Sequence, residues 1–496
     1  MKILLSIFLI LIAFNGFTQD RISKKQIKEF DNYVETVRKE WEVPGMSITV
    51  VKDGKVIFKK GYGVKEIGKP DPVDTQTLFA CASTTKAMTV ALMAMLVDEG
   101  KIKWDDPVHK YLPELQLYDS YVTRELKIRD LLIHDSGLGN TDFFTGAMNI
   151  PVNEMFRRMA LIKPQYSMRA GFEYQNIMYS AAGRIIERLT GKLWSDVIQE
   201  RIFTPLKMTA TAPKRKFIKT QNQTRPHYKI NDTIQVIDYG IDSEIGSAGA
   251  VWSCADDISK WVICMLDSGK YEGGRLISAQ SWIEIFKPQT MFPLEEYPTL
   301  KIVKPNWLTY GLGWYQHDYK GKKINFHTGS HTGLTAITAQ LPDENLGIFV
   351  FGNYDHAELR HVLMYKAFDH FALGGERDWN AEFKALFDKM KLDSKKKALE
   401  LIAKRTPNTS PSLPFAQYAG HYTSALYGDA TVTVDDNILY VNVNDVLKAK
   451  LYHWHYDVFN GPFEKAWQGK ATAHFILETS GKVDTLVFDG MDFRRK

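Results

Sequence analysis

A serine three residues before a lysine, at the predicted start of a helix, is the first pattern in this chain that could do chemistry. Ser83 and Lys86 have this spacing, which puts a hydroxyl and an amine on one helix face, one turn apart. A lysine kept neutral by burial can accept the serine proton, and a helix N-terminus favours an oxyanion forming there. The pattern alone is weakly specific, because Ser394 and Lys397 repeat it in a lysine-rich segment.

A tyrosine and an asparagine form a second candidate element, just before an apolar pattern with helical spacing. Tyr174 near a lysine could act as a phenolate base or as a proton shuttle. The amide of Asn176 could hold both that lysine and a substrate carbonyl. The same spacing recurs from Tyr440 to Asn442 in a predicted strand, so the alternative is that Tyr174 only packs, with its hydroxyl satisfied.

The third element is His327-Thr328-Gly329, which directly follows a strand predicted over residues 323–326. A donor side chain, a hydroxyl and a glycine at a strand end let a substrate lie along the strand, and the next backbone N–H could complete an oxyanion hole. Residues 331–333 repeat the tripeptide, and the first copy is preferred because it adjoins the strand. The two histidines have no supporting carboxylate or cysteine ligand nearby in sequence, so no metal and no cofactor are expected.

These residues need a framework, and the sequence predicts an α+β one. A hairpin is predicted around the Asp53-Gly54 turn, a long helix from about Ser83 to Gly100, and mostly helix and loop over residues 101–260. Further strands and a following helical stretch are predicted at residues 323–326, 336–341, 347–351 and 356–371. This order implies an antiparallel sheet flanked by helices, together with a mostly helical subdomain.

The chain is expected to carry a second, all-β domain at its C-terminus. The hydrolase-like domain is predicted over residues 20–375, a helical linker over residues 376–413, and the C-terminal domain over residues 414–496. The last of these has short alternating strands at residues 431–434, 439–443, 450–455, 472–478 and 485–488. A small β-sandwich or barrel is the expected architecture.

Composition excludes several classes of protein. With 496 residues, 44% hydrophobic and 24% charged, the chain has the make-up of a globular protein. The net charge of +5 is dispersed rather than clustered, so a nucleic-acid partner is not expected. The cysteines are Cys81, Cys254 and Cys264, an odd number that excludes a disulfide scaffold, and they are interpreted as small buried residues.

The N-terminus has the pattern of a secretory signal peptide over residues 1–19. A lysine precedes the apolar residues 3–14, and small and polar residues follow. The apolar stretch is too short to span a bilayer comfortably, so no stable membrane anchor is expected. The mature protein is therefore expected to be periplasmic or secreted.

Taken together, the three elements resemble the serine β-lactamase and penicillin-binding-protein family, in its class C-like and esterase branch. Ser83, Tyr174 and His327 stand in that family's order, and the resemblance covers about residues 24–373. Other segments that look like family landmarks are residues 131–138, 247–253 and 310–314. The tail from about residue 414 resembles a small β domain often appended to such hydrolases.

The resemblance implies a role for each residue. Ser83 would be acylated, Lys86 and Tyr174 would move the proton, and Asn176 would orient the acyl group. The backbone N–H groups of Ser83 and Ser330 would bind the oxyanion. His134, within the landmark at residues 131–138, would be structural.

The position of His327 is where this chain departs from the family pattern. Classical β-lactamases and transpeptidases carry a lysine there, whereas a histidine is largely neutral at neutral pH. Thr328 and Gly329 would still belong to the strand along which the substrate lies. The departure weakens the β-lactam interpretation and favours esterase or peptidase relatives.

The sequence therefore predicts a serine hydrolase that cleaves an ester or amide bond of a small-molecule or peptide substrate. A β-lactamase or a D-amino-acid peptidase is the alternative within the same chemistry, and a catalytically silent binding protein of the same fold is the alternative outside it. The Gly-x-Ser-x-Gly pattern of α/β-hydrolases is missing from the chain. Neither the substrate nor the oligomeric state is predicted.

Overall fold

A computed structural model describes residues 22–146, 148, 150–240, 244–355 and 358–496. The proposed signal peptide at residues 1–19 lies outside the described residues, as do the first two residues of the helical stretch predicted over 356–371.

The helices are α1 (Lys24–Glu40), α2 (Thr85–Asp98), α3 (Ser120–Glu125), α4 (Phe143–Gly146), α5 (Val152–Arg158), α6 (Asn176–Thr190), α7 (Trp194–Ile198), α8 (Ala255–Leu266), α9 (Ala279–Ile285), α10 (Leu300–Val303), α11 (Leu359–Phe368) and α12 (Trp379–Ala403). The strands before α11 are β1 (Gly45–Lys52), β2 (Lys55–Gly63), β3 (Phe79–Ala80), β4 (His227–Ile230), β5 (Thr233–Val236), β6 (Trp252–Ser253), β7 (Lys270–Tyr271), β8 (Gly274–Arg275), β9 (Thr290–Met291), β10 (Leu308–Tyr310), β11 (Tyr315–Tyr319), β12 (Lys322–His331), β13 (Leu334–Leu341) and β14 (Leu346–Gly352). After α12 come β15 (Gly420–Ser424), β16 (Gly428–Asp435), β17 (Ile438–Val443), β18 (Leu447–His455), β19 (Val458–Pro462), β20 (Lys470–Leu477), β21 (Val483–Phe488) and β22 (Met491–Arg495).

An eight-stranded antiparallel sheet forms the framework of the first domain. Its strand order is β2-β1-β14-β13-β12-β11-β10-β9, and α1, α8 and α11 pack against it. The β1–β2 hairpin turns at Asp53 and Gly54, whose φ angles of 51° and 71° are those that Asx-Gly hairpin turns require. The α+β prediction, with an antiparallel sheet among helices, is confirmed.

Strand β12 is longer than the sequence predicted, and this changes where the candidate tripeptide lies. His327-Thr328-Gly329 does not follow the strand but lies inside it, because β13 pairs with β12 from Asn325 through His331. On the other side, β11 pairs with β12 only as far as Phe326. One edge of residues 327–331 is therefore left open beside the sheet.

Helix α2 is the central helix of the first domain. Residues 85–96 are all buried, and most of them are apolar, as expected of a helix inside a core. A 3-10 turn, Ala82–Thr84, leads into it, and Gly100, with φ 70°, follows its end. The sequence predicted a helix from about residue 83 to residue 100, so the nucleophile candidate lies in the turn before the regular helix.

The segment predicted as mostly helix and loop, residues 101–260, also contains strands. The hairpin of β4 and β5 turns at Asn231 and Asp232, with φ angles of 48° and 59°. Asparagine and aspartate tolerate this left-handed conformation, so the turn had a sequence signal. Strand β6 has only two residues and pairs with β3, directly before the Ser83 turn.

The C-terminal domain is a closed barrel, which decides between the two architectures that the sequence allowed. Its strands run in the order β15 to β22, and β15 closes the barrel by pairing with β22. Alternate residues point inward, and aromatic side chains such as Tyr418, Phe459 and Phe475 pack against each other there. Strands β15, β19 and β22 were not predicted. In β19 the reason is local, because Gly461 and Pro462 interrupt its pattern.

Helix α12 connects the two domains. At its start Trp379 stacks on Tyr365 of α11 with ring centroids 4.6 Å apart, and Phe383 is buried beside them. Residues 388–404 are exposed. The barrel contacts the first domain through Tyr427, whose ring centroid lies 4.9 Å from that of Phe143.

Candidate active site

Ser83 lies on a strained turn that presents its hydroxyl. Ala82 has φ 47°, a left-handed conformation that is costly for a residue with a Cβ and that is concentrated at functional sites. The turn is held from both ends, because the N–H of Cys81 donates to Val251 O at 2.8 Å and the hydroxyl of Thr84 donates to Cys81 O at 2.8 Å. Ser83 itself stays partly exposed.

Lys86 is buried below Ser83, and its amine contacts three oxygens. Nζ lies 2.7 Å from Asn176 Oδ1, 2.9 Å from Ala248 O and 3.1 Å from Ser83 Oγ. A neutral amine has two N–H bonds and one lone pair, and the two oxygens that can only accept take the two N–H bonds. The lone pair is then left for the Ser83 hydroxyl. Burial lowers the pKa of Lys86 to about 7, against the opposing effect of the Asp142 carboxylate.

Tyr174 lies beside the Ser83–Lys86 pair. Its ring centroid is 4.8 Å from Lys86 Nζ. Burial raises the pKa of Tyr174 well above its ordinary value, and the nearby Ser83 hydroxyl only partly offsets this. Of the two roles that the sequence allowed, phenolate base and proton shuttle, this environment favours the shuttle.

Asn176, the first residue of α6, holds Lys86 in place. Its Oδ1 accepts from Lys86, while its Nδ2 donates to Asp142 Oδ1 at 3.1 Å. The amide donor expected for a substrate carbonyl is therefore occupied by Asp142 in this structure. Asp142 was not singled out from the sequence, since it comes from a loop more than thirty positions away.

The landmark segment at residues 131–138 positions Tyr174 and its neighbour. His134 has φ 62°, and its Nδ1 accepts from the backbone N–H of Gln175 at 2.9 Å, so its ring proton is on Nε2. The His134 ring lies against Tyr174 with centroids 4.3 Å apart. Burial lowers the pKa of His134 well below its ordinary value. These contacts agree with the structural role that the resemblance implied.

His327 does not present a free donor, which corrects the expectation that it would donate a hydrogen bond to substrate. Its Nδ1 lies 2.6 Å from Thr328 O, a carbonyl that can only accept, so the ring proton is on Nδ1. Its Nε2 therefore accepts from the Tyr310 hydroxyl at 3.0 Å. Burial, assisted by the charge of Lys86, lowers the pKa of His327 to about 3. The ring is neutral, as expected, and both nitrogens are occupied.

Gly329 allows β12 to approach the nucleophile closely. A Cβ at this position would lie 2.3 Å from Cys81 O and 3.0 Å from the backbone nitrogen of Ser83, so only glycine fits. The two neighbouring side chains point the other way. Thr328 Oγ1 is 2.6 Å from the Tyr297 hydroxyl, and Ser330 Oγ accepts from Arg360 at 3.0 Å. Neither hydroxyl points toward Ser83.

The backbone N–H of Ser330 points to the open edge of β12. Arg360 Nη1 donates to both Gly329 O, at 2.6 Å, and Ala336 O of β13, at 3.2 Å, so the Gly329 carbonyl points toward β13. In the trans peptide that follows, the N–H of Ser330 must point away from β13. That direction is the edge that β11 leaves unpaired, beside the N–H of Ser83. The pair can receive an oxyanion there.

The structure thus brings Ser83, Lys86, Tyr174 and Asn176 together, with Gly329 against them. The backbone N–H of Ser330 faces the open edge of β12, and the Thr328 hydroxyl points to Tyr297. Residues that sequence reasoning missed are Asp142, Ala248, Tyr310 and Arg360. Ala248 and Tyr310 lay within landmark segments, but no role followed from that, and Arg360 had no local signal.

In the described part of the chain, no cluster of three or more His, Cys, Asp or Glu side chains could hold a metal ion, and no helix is long and apolar enough to cross a membrane.

Fold and site together define a hydrolase of the β-lactamase and penicillin-binding-protein type. Residues 30–369 match the family described as Beta-lactamase, and the chain belongs to that family. Residues 404–496 match a domain of unknown function, DUF3471, which covers the barrel.

Individual proteins and solved structures are also similar to this chain. The unguisins hydrolase ungD' of Aspergillus campestris is 28% identical over 84% of this chain and 80% of its own length. Protein flp of Staphylococcus aureus strain COL is 24% identical over 67% of this chain and 64% of its own. Among solved structures, the octameric penicillin-binding protein homologue from Pyrococcus abyssi has a TM-score of 0.62 at 20% identity, covering 94% of this chain and 99% of its own. SurE with D-Leu has a TM-score of 0.56 at 17% identity, covering 96% of this chain and 100% of its own.

Proposed function

We propose that this protein is a serine hydrolase that cleaves an ester or amide bond through an acyl-enzyme on Ser83. The observation that carries the proposal is the set of contacts around Lys86. When Lys86 is neutral, two oxygens that can only accept, Asn176 Oδ1 and Ala248 O, leave its lone pair for the Ser83 hydroxyl. A neutral buried amine beside a serine is an activated nucleophile pair.

Acylation begins when Ser83 Oγ attacks the substrate carbonyl carbon and Lys86 Nζ takes its proton. The carbonyl π electrons move to oxygen, and the N–H groups of Ser83 and Ser330 stabilise the resulting oxyanion. When the oxyanion collapses, the bond to the leaving group breaks. Tyr174, whose ring lies 4.8 Å from Lys86 Nζ, passes a proton to the leaving group and is reprotonated by the Lys86 ammonium.

Deacylation repeats the sequence with water as the nucleophile. Neutral Lys86, directly or through Tyr174, takes a proton from the water as it attacks the acyl carbon. The same two N–H groups hold the second oxyanion. Ser83 recovers its proton as the ester bond breaks, which returns the enzyme to its starting state.

The neutral ring of His327 supports substrates that lack a carboxylate. A β-lactamase of this type would use a fixed cation at that position, whereas the His327 ring has a pKa of about 3 with both nitrogens occupied. Neutral esters should therefore be turned over at least as well as anionic ones at about pH 8. A panel of a neutral ester, a D-amino-acid peptide and a chromogenic β-lactam ranks the candidates. Preference for the β-lactam by orders of magnitude would make a β-lactamase the better assignment.

Covalent labelling tests the proposal and separates it from a silent binding protein. A fluorophosphonate should add to Ser83, as mapped by peptide mass spectrometry. The Ser83→Ala variant should not be labelled, and its turnover should fall by at least about 10⁴-fold. Ser394→Ala is the matched control, because Ser394 has the same spacing to a lysine on the exposed part of α12. It should change neither. A label at any residue other than Ser83, or an unlabelled chain that binds substrate without cleaving it, would contradict the proposal.

Export of the protein is proposed from the N-terminal pattern alone. The lysine and the apolar residues 3–14 support it. Sequencing the N-terminus of protein from the extracytoplasmic fraction should find the chain beginning near residue 20, whereas an intact Met1 in the cytoplasm would contradict export.

A further inference from the structure

Arg360 is a buried cation directly behind the candidate oxyanion site. It lies in the first turn of α11 with 6% of its surface exposed. Its Nη1 donates to Gly329 O at 2.6 Å, to Ser330 Oγ at 3.0 Å and to Ala336 O at 3.2 Å. Its Nη2 pairs with Glu358 Oε1 at 3.0 Å.

The shortest of these contacts falls on a particular peptide group. The carbonyl of Gly329 and the N–H of Ser330 belong to the same amide, so the guanidinium binds one end while the other end faces the open edge of β12. A cation on an amide oxygen draws electron density from the nitrogen, which makes the N–H a stronger donor. In buried surroundings this polarisation is weakly screened.

We propose that Arg360 is a positioning residue that strengthens the oxyanion hole by polarising the Gly329–Ser330 peptide. The inference rests on the proposed function, since it assigns the Ser330 N–H to the oxyanion. Arg360 touches no reacting atom. It acts through the peptide, and more strongly as charge develops on the substrate oxygen.

The charge of Arg360 also acts on neighbouring side chains. It adds to the burial and the Lys86 charge that lower the pKa of His327. It also opposes the rise in the pKa of Tyr297 that burial causes. The Glu358 carboxylate, 3.0 Å from the guanidinium, partly offsets this charge.

A purely structural role is the alternative, because Arg360 also joins β12 to β13 through Gly329 O and Ala336 O. Loss of a structural tie would lower the melting temperature and disturb substrate binding. It would leave the strength of the hydrogen bonds to a bound acyl carbonyl unchanged once the acyl group was in place. The carbonyl stretching frequency of an acyl-enzyme therefore separates the two roles.

The test uses the full chain and an activated cinnamoyl ester labelled with ¹³C at the carbonyl, which forms a slowly hydrolysed acyl-serine. Isotope-edited infrared spectra give the acyl carbonyl stretch. In Arg360→Gln the stretch should move to higher wavenumber, because the hydrogen bonds to the carbonyl weaken. For a turnover substrate, kcat should fall about tenfold with KM nearly unchanged, less than the roughly 10²–10³ that loss of a whole oxyanion donor costs.

Glu358→Gln is a second variant with the opposite sign. It keeps the guanidinium on the strand and removes the countercharge, so the carbonyl stretch should move to lower wavenumber. If Arg360→Gln does not fold, Glu358→Gln alone tests whether Arg360 polarises the Gly329–Ser330 peptide. An acyl carbonyl stretch that stays at the wild-type frequency in the folded variants overturns the inference.

The same experiment distinguishes failure of the inference from failure of the proposed function. If the cinnamoyl group does not attach to Ser83 of the wild-type protein, the proposed function fails and the inference fails with it. If the group attaches to Ser83 and neither substitution changes the acyl carbonyl stretching frequency, only the role of Arg360 is wrong.

Discussion

The chain builds two eight-stranded antiparallel sheets and uses them in opposite ways. The sheet of the first domain is open, and β11 stops pairing with β12 at Phe326, so the backbone of residues 327–331 is left to face Ser83. The C-terminal sheet closes on itself, and aromatic side chains such as Phe459 and Phe475 fill its interior. The candidate site therefore depends on an interrupted strand pairing rather than on the number of strands.

A pair of crowded glycines makes the comparison testable, and the largest effect is expected at the first of them. Gly329→Ala would push a Cβ to within 2.3 Å of Cys81 O and force β12 away from Ser83. Because this separates the two oxyanion donors, kcat/KM should fall by about 10² or more.

Gly461→Ala is the matched control in the barrel, where a Cβ would lie 2.0 Å from Lys450 O. It should lower the barrel's melting temperature while kcat/KM of the folded protein stays within about twofold. If the two alanine variants lost activity equally, the open edge of β12 would have no special role.

Removal of the barrel should have a smaller effect. Truncation after Thr406 keeps Trp379 and Phe383 in the core of the first domain, so that domain should stay folded. The cut removes the contact of Tyr427 with Phe143, which follows Asp142 in sequence. Since an aromatic pair stabilises by about 0.5–1.5 kcal/mol, kcat/KM should fall by no more than about tenfold.

Tyr427→Ala in the full chain is the matched variant, and it should reproduce the loss of activity seen on truncation. Steady-state kinetics and light scattering check both proteins. Aggregation of the truncated chain under conditions where the full chain stays dispersed would show that the barrel covers apolar surface of the first domain.

Spacing along the chain was enough to group the candidate residues that lie close together in sequence. Ser83 and Lys86 are one helical turn apart, and Tyr174 and Asn176 precede the apolar stripe of α6, so spacing alone carried the relevant information. The α+β class and the C-terminal β domain followed from periodicity in the same way. Whether the C-terminal strands closed into a barrel depended on β15 meeting β22 across the whole domain, which no local pattern encodes.

What the sequence could not show were contacts between distant segments. Asp142 reaches Asn176, and Arg360 reaches Gly329, only because the fold brings them together. The length of β12 was missed for the same reason, since β13 supplies the pairing that carries the strand through His331. The expected donor role of His327 failed because Tyr310 and the backbone occupy its ring nitrogens.

In the proposed mechanism neutral Lys86 activates Ser83, so the acylation rate should depend on pH through this lysine. The pKa of Lys86 is lowered to about 7, so the neutral base is lost as pH falls below that value and is fully present above it. His327, with a pKa of about 3, and Tyr174, with a raised pKa, keep their protonation states between about pH 5 and pH 9.

Stopped-flow acylation by an uncharged ester should therefore slow about tenfold per pH unit below pH 7 and become constant above it, as a single ionisation requires. An acylation rate that is flat from pH 5 to pH 9, or that falls as pH rises through 7, would contradict the account.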